Sequence, residues 1–490
     1  MLRLPTTTTR ETGATELTWS ILSCVTERDA LGIDLGTGSV KVALVGPDDS
    51  VQQSTSRAYP IHSPHSGWAE THPQDWLNAL TEVVGKLDIS QVESVSFSGQ
   101  MHGVVAVDEH LDPVRPAILW ADTRSADQSE RMATEFGAKD WQRWGSRPVA
   151  GFAASTITWL VENEPAVLER TRYLMQPKDW LRARLGGDIA TDPSDASGTL
   201  LFDVAAGTWD AISCEWVGID PVVLPPVRAS QAAAGVVRIA GRDIPSTVGG
   251  ADTACAIAGI GLSSGQGFIA VGSGSQSVAV TDHVPDHLSQ GTHVFAGVGE
   301  PGSTWYRIGA VQNAGVALER VLSWLDASIE DAIDALRIGV QPADPIFIPY
   351  VAGERTPFMS ARLRGSWIGL DLATERSALL RSALEGISHA VALGFGAVRD
   401  ADTQTPVPLI GGGAKDPIFQ QLLSNSCGVP LAPMDTPDSA VIGAAALSRG
   451  RTSTISPAQW SHVVEPQPHI VDLLADRRRR LVEHVERELS

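Results

Sequence analysis

Two aspartates, each set beside a glycine turn, are the residues of this 490-residue chain best placed to do chemistry. Asp34 closes an apolar run, ALGID, and is followed by the turn Gly36-Thr37-Gly38-Ser39 and by a second apolar run that carries Lys41. Glycines let consecutive backbone N–H groups converge on an anion without Cβ obstruction, so this is a candidate phosphate cradle beside a carboxylate able to hold a divalent cation through water. The same four residues would equally serve a plain β-hairpin turn. Asp252 follows Gly249-Gly250-Ala251 and precedes Thr253 and an apolar helical stretch. It is a candidate general base facing a cleft, or a helix cap whose oxygens accept early backbone N–H bonds.

Two further segments offer ligand contacts. Ser98-Gly99-Gln100-Met101-His102-Gly103 sets an amide and an imidazole on a glycine-flanked corner between strands, within reach of a polyol or keto sugar; a buried, structurally bonded histidine is the bland alternative. Gly411-Gly412-Gly413 lies between an apolar strand and the helical run PIFQQLLSNSCG, where it either lets a flat ligand such as adenine approach or makes a tight turn. Three familiar motifs are excluded. The chain has no G-x-x-x-x-G-K-[ST], so any ATP is not held in a P-loop. The G-x-G-x-x-G at Gly297, Gly299 and Gly302 contains Pro301 and runs into a strand, and the G-x-S-x-G at Gly261, Ser263 and Gly265 follows a helix and precedes a strand. Both read as turns.

The elements that must position these residues form an α/β chain. Strand-like runs (ALGID, VKVALVG, VESVSFSG, GVVAVDE) alternate with helical patterns such as DWLNALTEVVGKL. Residues 1–28, rich in Thr and Glu and without sustained periodicity, read as a mobile extension. A Pro/Gly cluster at VVLPPVRAS and RDIPSTVGGAD is the expected hinge, dividing 29–245 from 246–490. The halves share a pattern: LGIDLGTGSVKVALVG aligns without gaps on GFIAVGSGSQSVAVTD, so Gly36 to Ser39 fall on Gly272, Ser273, Gly274 and Ser275, 236 residues later. That period suggests two related lobes, each opening with a strand, a glycine turn and a strand, and two such turns could grip one nucleotide from both sides.

Composition narrows the partners. With 37 Lys+Arg against 57 Asp+Glu the net charge is −20, which opposes nucleic acid and anionic membrane surfaces. The four cysteines are scattered without metal or disulfide spacing, which fits a reducing cytoplasm, and no apolar run is long enough to cross a bilayer. The run Arg477-Arg478-Arg479-Arg480, in a helical pattern with acidic neighbours, reads as a solvated face.

Taken in order, GIDLGTGSVKVAL, PHSGWAETHP, SGQMHG, RPAILWADTR, PKDWLRARLGGDIATDPSDASGT, GGAD, PYVAGERTP and LIGGGAK resemble the FGGY carbohydrate kinases, and among them the xylulokinases most closely. The resemblance implies a two-lobed actin- and hexokinase-like (ribonuclease H-like) ATPase fold, with ATP and Mg²⁺ meeting a sugar in the interlobe cleft. It implies that Asp252 takes the proton from the attacking hydroxyl and that Asp34 handles Mg²⁺ and the phosphates. Gln100, Met101, His102 and Thr253 would face the sugar. Thr37, Gly38, Ser39 and Lys41 would contact the phosphates with Ser273, and Gly412 and Gly413 would lie at the adenosine. Two residues depart from the xylulokinase pattern: Thr253 stands where Asn is usual, and Gly272-Ser273-Gly274-Ser275 replaces G-T-S-G. The implied activity is ATP-dependent phosphorylation of a ketopentose, D-xylulose first, with ribulose or a tetritol as other acceptors and a catalytically silent, nucleotide-switched sugar sensor as the non-enzymatic alternative. Sugar and ATP are the expected partners, and a homodimer is an assembly left open.

Overall fold

A computed structural model describes residues 29–399, 405–434, 438–452 and 462–490. The extension expected at 1–28 lies outside the described residues.

Two sheets organise the chain. In the first, strands run in the order Ala233–Ile239, Arg242–Thr247, Ser94–Gly99, Ala30–Leu35, Ser39–Val45 and Val51–Ala58, with the short strand Gly250–Ala251 also pairing with Ser94–Gly99. In the second the order is Thr292–Ala296, Trp305–Val311, Ser275–Thr281, Gly267–Val271, Val407–Ile410 and Leu431–Pro433. Each has the same centre. Ala30–Leu35 is antiparallel to its hairpin mate and parallel to Ser94–Gly99, and Gly267–Val271 is antiparallel to its own mate and parallel to Val407–Ile410. The internal repeat is thus a repeat of topology, as expected for a two-lobed ATPase fold. The gap-free alignment slips by one residue at the turns, however. Leu35 faces Val40 across the first, whereas Val271 faces Ser275 across the second, a turn one residue tighter.

Strand alternation decides which side chains reach the cleft. Leu31, Ile33 and Leu35 bury one face against Trp76, Leu80 and Phe97, each such side chain contributing about 1.5–3 kcal/mol of hydrophobic stabilisation. Ala30, Gly32 and Asp34 therefore share the opposite face. There the helix Ser439–Ser448 packs, Val441 and Ala445 touching Ala30 and Ala43, so a segment from the far end of the sequence covers the first sheet. That helix crosses Asp252–Ile260 at a distance only glycine permits: a Cβ on Gly443 would sit 1.9 Å from the Cys255 carbonyl oxygen.

The hinge is displaced from 245/246. The strand Arg242–Thr247 runs through that point, Ser246 pairs with Val95, and Gly250 pairs with Ser98, so the chain leaves the first sheet only with the helix Asp252–Ile260. Pro245 of the Pro/Gly cluster lies within a strand, opposite Val236 and next to a β-bulge between Ala233 and Val236, so that segment is not a linker. The arginine run also differs from expectation. Arg477 is buried and bonded to Glu385 and to the carbonyls of Pro342, Asp344 and Pro345, Arg478 is half-buried, and Arg479 and Arg480 are exposed.

Candidate active site

Asp34 and Asp252 meet where the two lobes join. Asp34 ends its strand half-buried and accepts a hydrogen bond from Ser98 Oγ (2.9 Å), while Oδ2 has no hydrogen-bond partner among the described residues. Burial raises its pKa, partly offset by the Ser98 bond and by the charge of Lys41, its cross-strand neighbour. Lys41 Nζ pairs with Asp438 at 3.1 Å, so any phosphate contact from it would have to share that pair.

Asp252 is the first residue of its helix, not the cap. The capping position is Ala251, whose N–H donates to Ser194 Oγ (2.8 Å), and Ser194 Oγ in turn donates to Asp192 Oδ2 (2.5 Å). Asp192 pairs with the fully buried Lys178 (3.0 Å), so an ionic cluster beneath the site fixes the start of the helix. The Asp252 carboxylate accepts bonds from Thr253 N (2.6 Å) and Thr253 Oγ1 (3.2 Å). Thr253 therefore spends its hydroxyl on orienting Asp252. Burial first, then the nearby Asp34 charge, raise the Asp252 pKa to about 6 against the pull of the Thr253 bonds. A carboxylate tuned there is ionised at neutral pH yet basic enough to accept a proton, which suits a general base.

The corner Gln100-Met101-His102 behaves as two devices. Gln100 is buried and braces the first turn, its Nε2 donating to Gly36 O (3.3 Å), while its Oε1 has no partner among the described residues. Met101 Sδ accepts from the Tyr306 hydroxyl at 3.6 Å. His102 adopts a left-handed backbone (φ 69°), stacks on Phe152 with ring centroids 3.8 Å apart, and donates from Nδ1 to Gly198 O (2.6 Å). A carbonyl only accepts, so the proton is on Nδ1 and Nε2 carries a lone pair. Burial, outweighing the Gly198 bond, holds the His102 pKa at about 4, so the ring is neutral and can accept from a hydroxyl.

The second turn, Gly272-Ser273-Gly274-Ser275, opens onto a cleft of about 440 Å³ shared with Trp120, Gln312 and Arg355. Its carbonyls are occupied, Gly272 O and Ser273 O accepting from Gly315 N and Val316 N at the start of the helix Gly315–Leu325. Across the cleft Trp120 Nε1 donates to Thr37 Oγ1 (2.8 Å), which brings the first turn alongside, with Thr37 and Ser39 half-buried and Gly38 exposed. Gly412 and Gly413 are exposed on a short 3₁₀ turn against the end of the strand that leads into Ser273: a Cβ on Gly413 would reach 3.0 Å from Val271, and one on Gly412 would meet nothing. Gly411, at φ 98°, must be glycine, since a Cβ would lie 2.4 Å from Val271 O.

The cleft fits a nucleotide with its metal. Ser275, the last residue of the second turn, is buried, and its Oγ has no hydrogen-bond partner among the described residues. Among the described residues no group of three or more His, Cys, Asp or Glu gathers as a metal cage. Magnesium that arrives on phosphates needs only one or two protein carboxylates, and Asp34, whose Oδ2 has no hydrogen-bond partner among the described residues, fits that donor set.

Sequence reasoning missed Phe152, His293 and Phe295 around the His102 corner, and Glu354 and Arg355 near the cleft, whereas Trp120 stands in a mixed aromatic and charged segment of the kind that suits sugars. Trp120 and Arg355 lie within recognised segments whose individual roles spacing could not assign. His293, stacked on Phe295 and bonded to Ser146, carries no local signal.

Comparison with known proteins bears on the family and the fold. Residues 30–259 match the N-terminal domain, and residues 276–448 the C-terminal domain, of the FGGY family of carbohydrate kinases. The chain is 32% identical over 441 residues to the xylulose kinase of Bacillus subtilis, covering 85% of this chain and 87% of that one. The structure of a xyloylose kinase from Brucella ovis superposes with a TM-score of 0.85 at 26% identity, covering 94% of this chain and 99% of the other. A glycerol kinase from Plasmodium falciparum, solved with ADP, shares the fold with a TM-score of 0.85 at 21% identity over 93% of this chain and 98% of that one. With both family domains matched in order across most of its length, the chain belongs to the FGGY family of carbohydrate kinases.

Proposed function

We propose that the protein phosphorylates D-xylulose at its terminal hydroxyl with ATP, with Asp252 as the general base. One observation carries the reading: a half-buried carboxylate, its pKa raised to about 6, lies beside Asp34 at the junction of two lobes, each contributing a glycine turn. Phosphoryl transfer asks for positioning and charge stabilisation rather than covalent chemistry by the protein, and this set is sufficient for it. The sugar hydroxyl gives its proton to Asp252 as its oxygen attacks the γ-phosphorus, and ADP leaves with the electron pair of the broken P–O bond. Thr253 keeps the Asp252 carboxylate oriented, and His102 Nε2 accepts from a sugar hydroxyl. The backbone N–H groups of the turns at Thr37 to Ser39 and at Ser273 hold the phosphates, while Gly412 and Gly413 leave room for adenosine. Bound Mg²⁺ would neutralise phosphate charge, with Asp34 as its protein-side carboxylate.

D-Xylulose is favoured by the likeness to xylulose kinases at about one-third identity. Thr253, which turns its hydroxyl to Asp252, supports a second reading in which another small ketose or polyol is the better acceptor. The described cysteines Cys214, Cys255 and Cys427 are free, which supports a reducing cytoplasm as the place of action. ADP release measured over D-xylulose, D-ribulose, erythritol, glycerol and gluconate tests the assignment. Highest kcat/KM on D-xylulose supports it, preference for another member moves the substrate, and sugar binding without ADP from any of them leaves a sensor.

A further inference from the structure

One cation lining the cleft, Arg355, has no side-chain partner among the described residues. Arg355 lines the same volume as the second turn and Trp120, its side chain is exposed, and among the described residues its guanidinium makes no ion pair or hydrogen bond. Its backbone is fixed. Glu354 Oε1 accepts from Arg355 N (2.7 Å) and from Gln312 N (2.6 Å), and Glu354 Oε2 accepts from Asn313 Nδ2 (3.1 Å). Thr356 Oγ1 accepts from Ala310 N (2.9 Å) and donates to Gly291 O (2.5 Å). Residues on either side are thus tied to the strand Trp305–Val311 and its continuation, while the side chain between them is left for something else. The positive charge also reaches the sugar corner, since it adds to burial in lowering the pKa values of His102 and His293. An acidic protein that pins a loop so that its guanidinium, unpaired among the described residues, lines the cleft beside the second glycine turn is prepared for an anion.

We propose that Arg355 is a further catalytic residue, whose guanidinium contacts the equatorial oxygens of the γ-phosphoryl group as it passes from ATP to the sugar hydroxyl. This rests on the kinase reading above. In the step, the bond from the β–γ bridging oxygen to the γ-phosphorus breaks, the bond from the sugar oxygen forms, and the hydroxyl proton goes to Asp252. Negative charge on the three equatorial oxygens is what Arg355 stabilises, and a fixed cation aimed at charge that develops in the transition state acts on turnover more than on ground-state binding.

The test is Arg355→Ala beside Arg355→Lys, with kinetics on the best acceptor and, separately, the melting-temperature shift given by ADP, magnesium and fluoroaluminate, a mimic of the transferring group. Arg355→Ala should lower kcat by about 10²–10³-fold, with KM for ATP and sugar within about threefold. It should lose the extra shift from fluoroaluminate while keeping that from ADP, and Arg355→Lys should recover part of both. The exposed side chain can be removed without disturbing the fold; should Arg355→Ala still unfold, Arg355→Gln carries the same expectation. A raised KM for ATP with unchanged kcat overturns the proposal, as does an unaltered fluoroaluminate shift. A wild type that forms no ADP with any acceptor overturns the kinase reading and this proposal with it, whereas an active wild type and an equally active Arg355→Ala overturn this proposal alone.

Discussion

Replacing Asp252 with asparagine separates its chemistry from its place in the fold. Asparagine keeps the shape and an oxygen that can accept from Thr253 N, but it cannot take a proton. A positioned general base contributes about 10²–10⁴ in rate, which at about 1.4 kcal/mol per decade is about 3–5 kcal/mol of barrier. Turnover should fall by that factor while ADP binding stays near wild type. The wild-type pH profile gives an independent check. With a pKa of about 6, the carboxylate is about 91% ionised at pH 7 and about 9% at pH 5, so kcat/KM should be full above the limb and drop about tenfold between those values. Stability runs the other way. The folded-state pKa lies above the unfolded one, so folding favours the protonated form, and the stability this gives below pH 4 is lost as pH rises through 6. Asp252→Asn should therefore melt at a higher temperature than wild type at pH 8, with the gap closing at pH 5. Coupled ADP release and thermal melts at both pH values measure all of this. Near-normal turnover in Asp252→Asn would refute the reasoning, and so would a variant that is inactive and also less stable at pH 8.

Gly443→Ala should destabilise by about 1–3 kcal/mol or more, because the new Cβ meets the Cys255 carbonyl at 1.9 Å and two helices must separate; a melting temperature equal to wild type contradicts that packing. Thr253→Asn should change the ratio of D-xylulose to D-ribulose turnover by about 2- to 13-fold, the worth of one neutral hydrogen bond, with kcat on the better sugar little altered. Equal responses of both sugars mean that Thr253 acts only through Asp252.

The sequence was most legible where chemistry is local. The first glycine turn, its flanking strands and Asp34 lie in the single stretch from Ala30 to Val45, and the second turn and its strands in the stretch from Gly267 to Thr281, so alternation and composition alone located them. Asp252 was legible as a position but not as a role. A residue after Gly-Gly-Ala and before an apolar helix can cap it or face a cleft, and only the backbone, which puts Ala251 at the cap, decides. Arg355 and His293 were out of reach because they come to the site through long-range strand pairing and loop anchoring that no local period encodes. Arg477 carried a signal that its charge masked. With Leu474, Leu481 and Val485 it forms one helical stripe, all four buried, and its ion pair with Glu385 makes an arginine acceptable there. The hinge was misplaced because Pro and Gly mark bulges as readily as linkers, and Pro245 lies in a strand.

Steady-state ADP release from ATP, with D-xylulose and the other small ketoses and polyols and with or without Mg²⁺, tests the central assignment most directly. The expected result is Mg²⁺-dependent ADP formation, highest in kcat/KM on D-xylulose and matched mole for mole by a phosphorylated sugar. Absence of ADP with every acceptor, or full activity without any divalent ion, would contradict it.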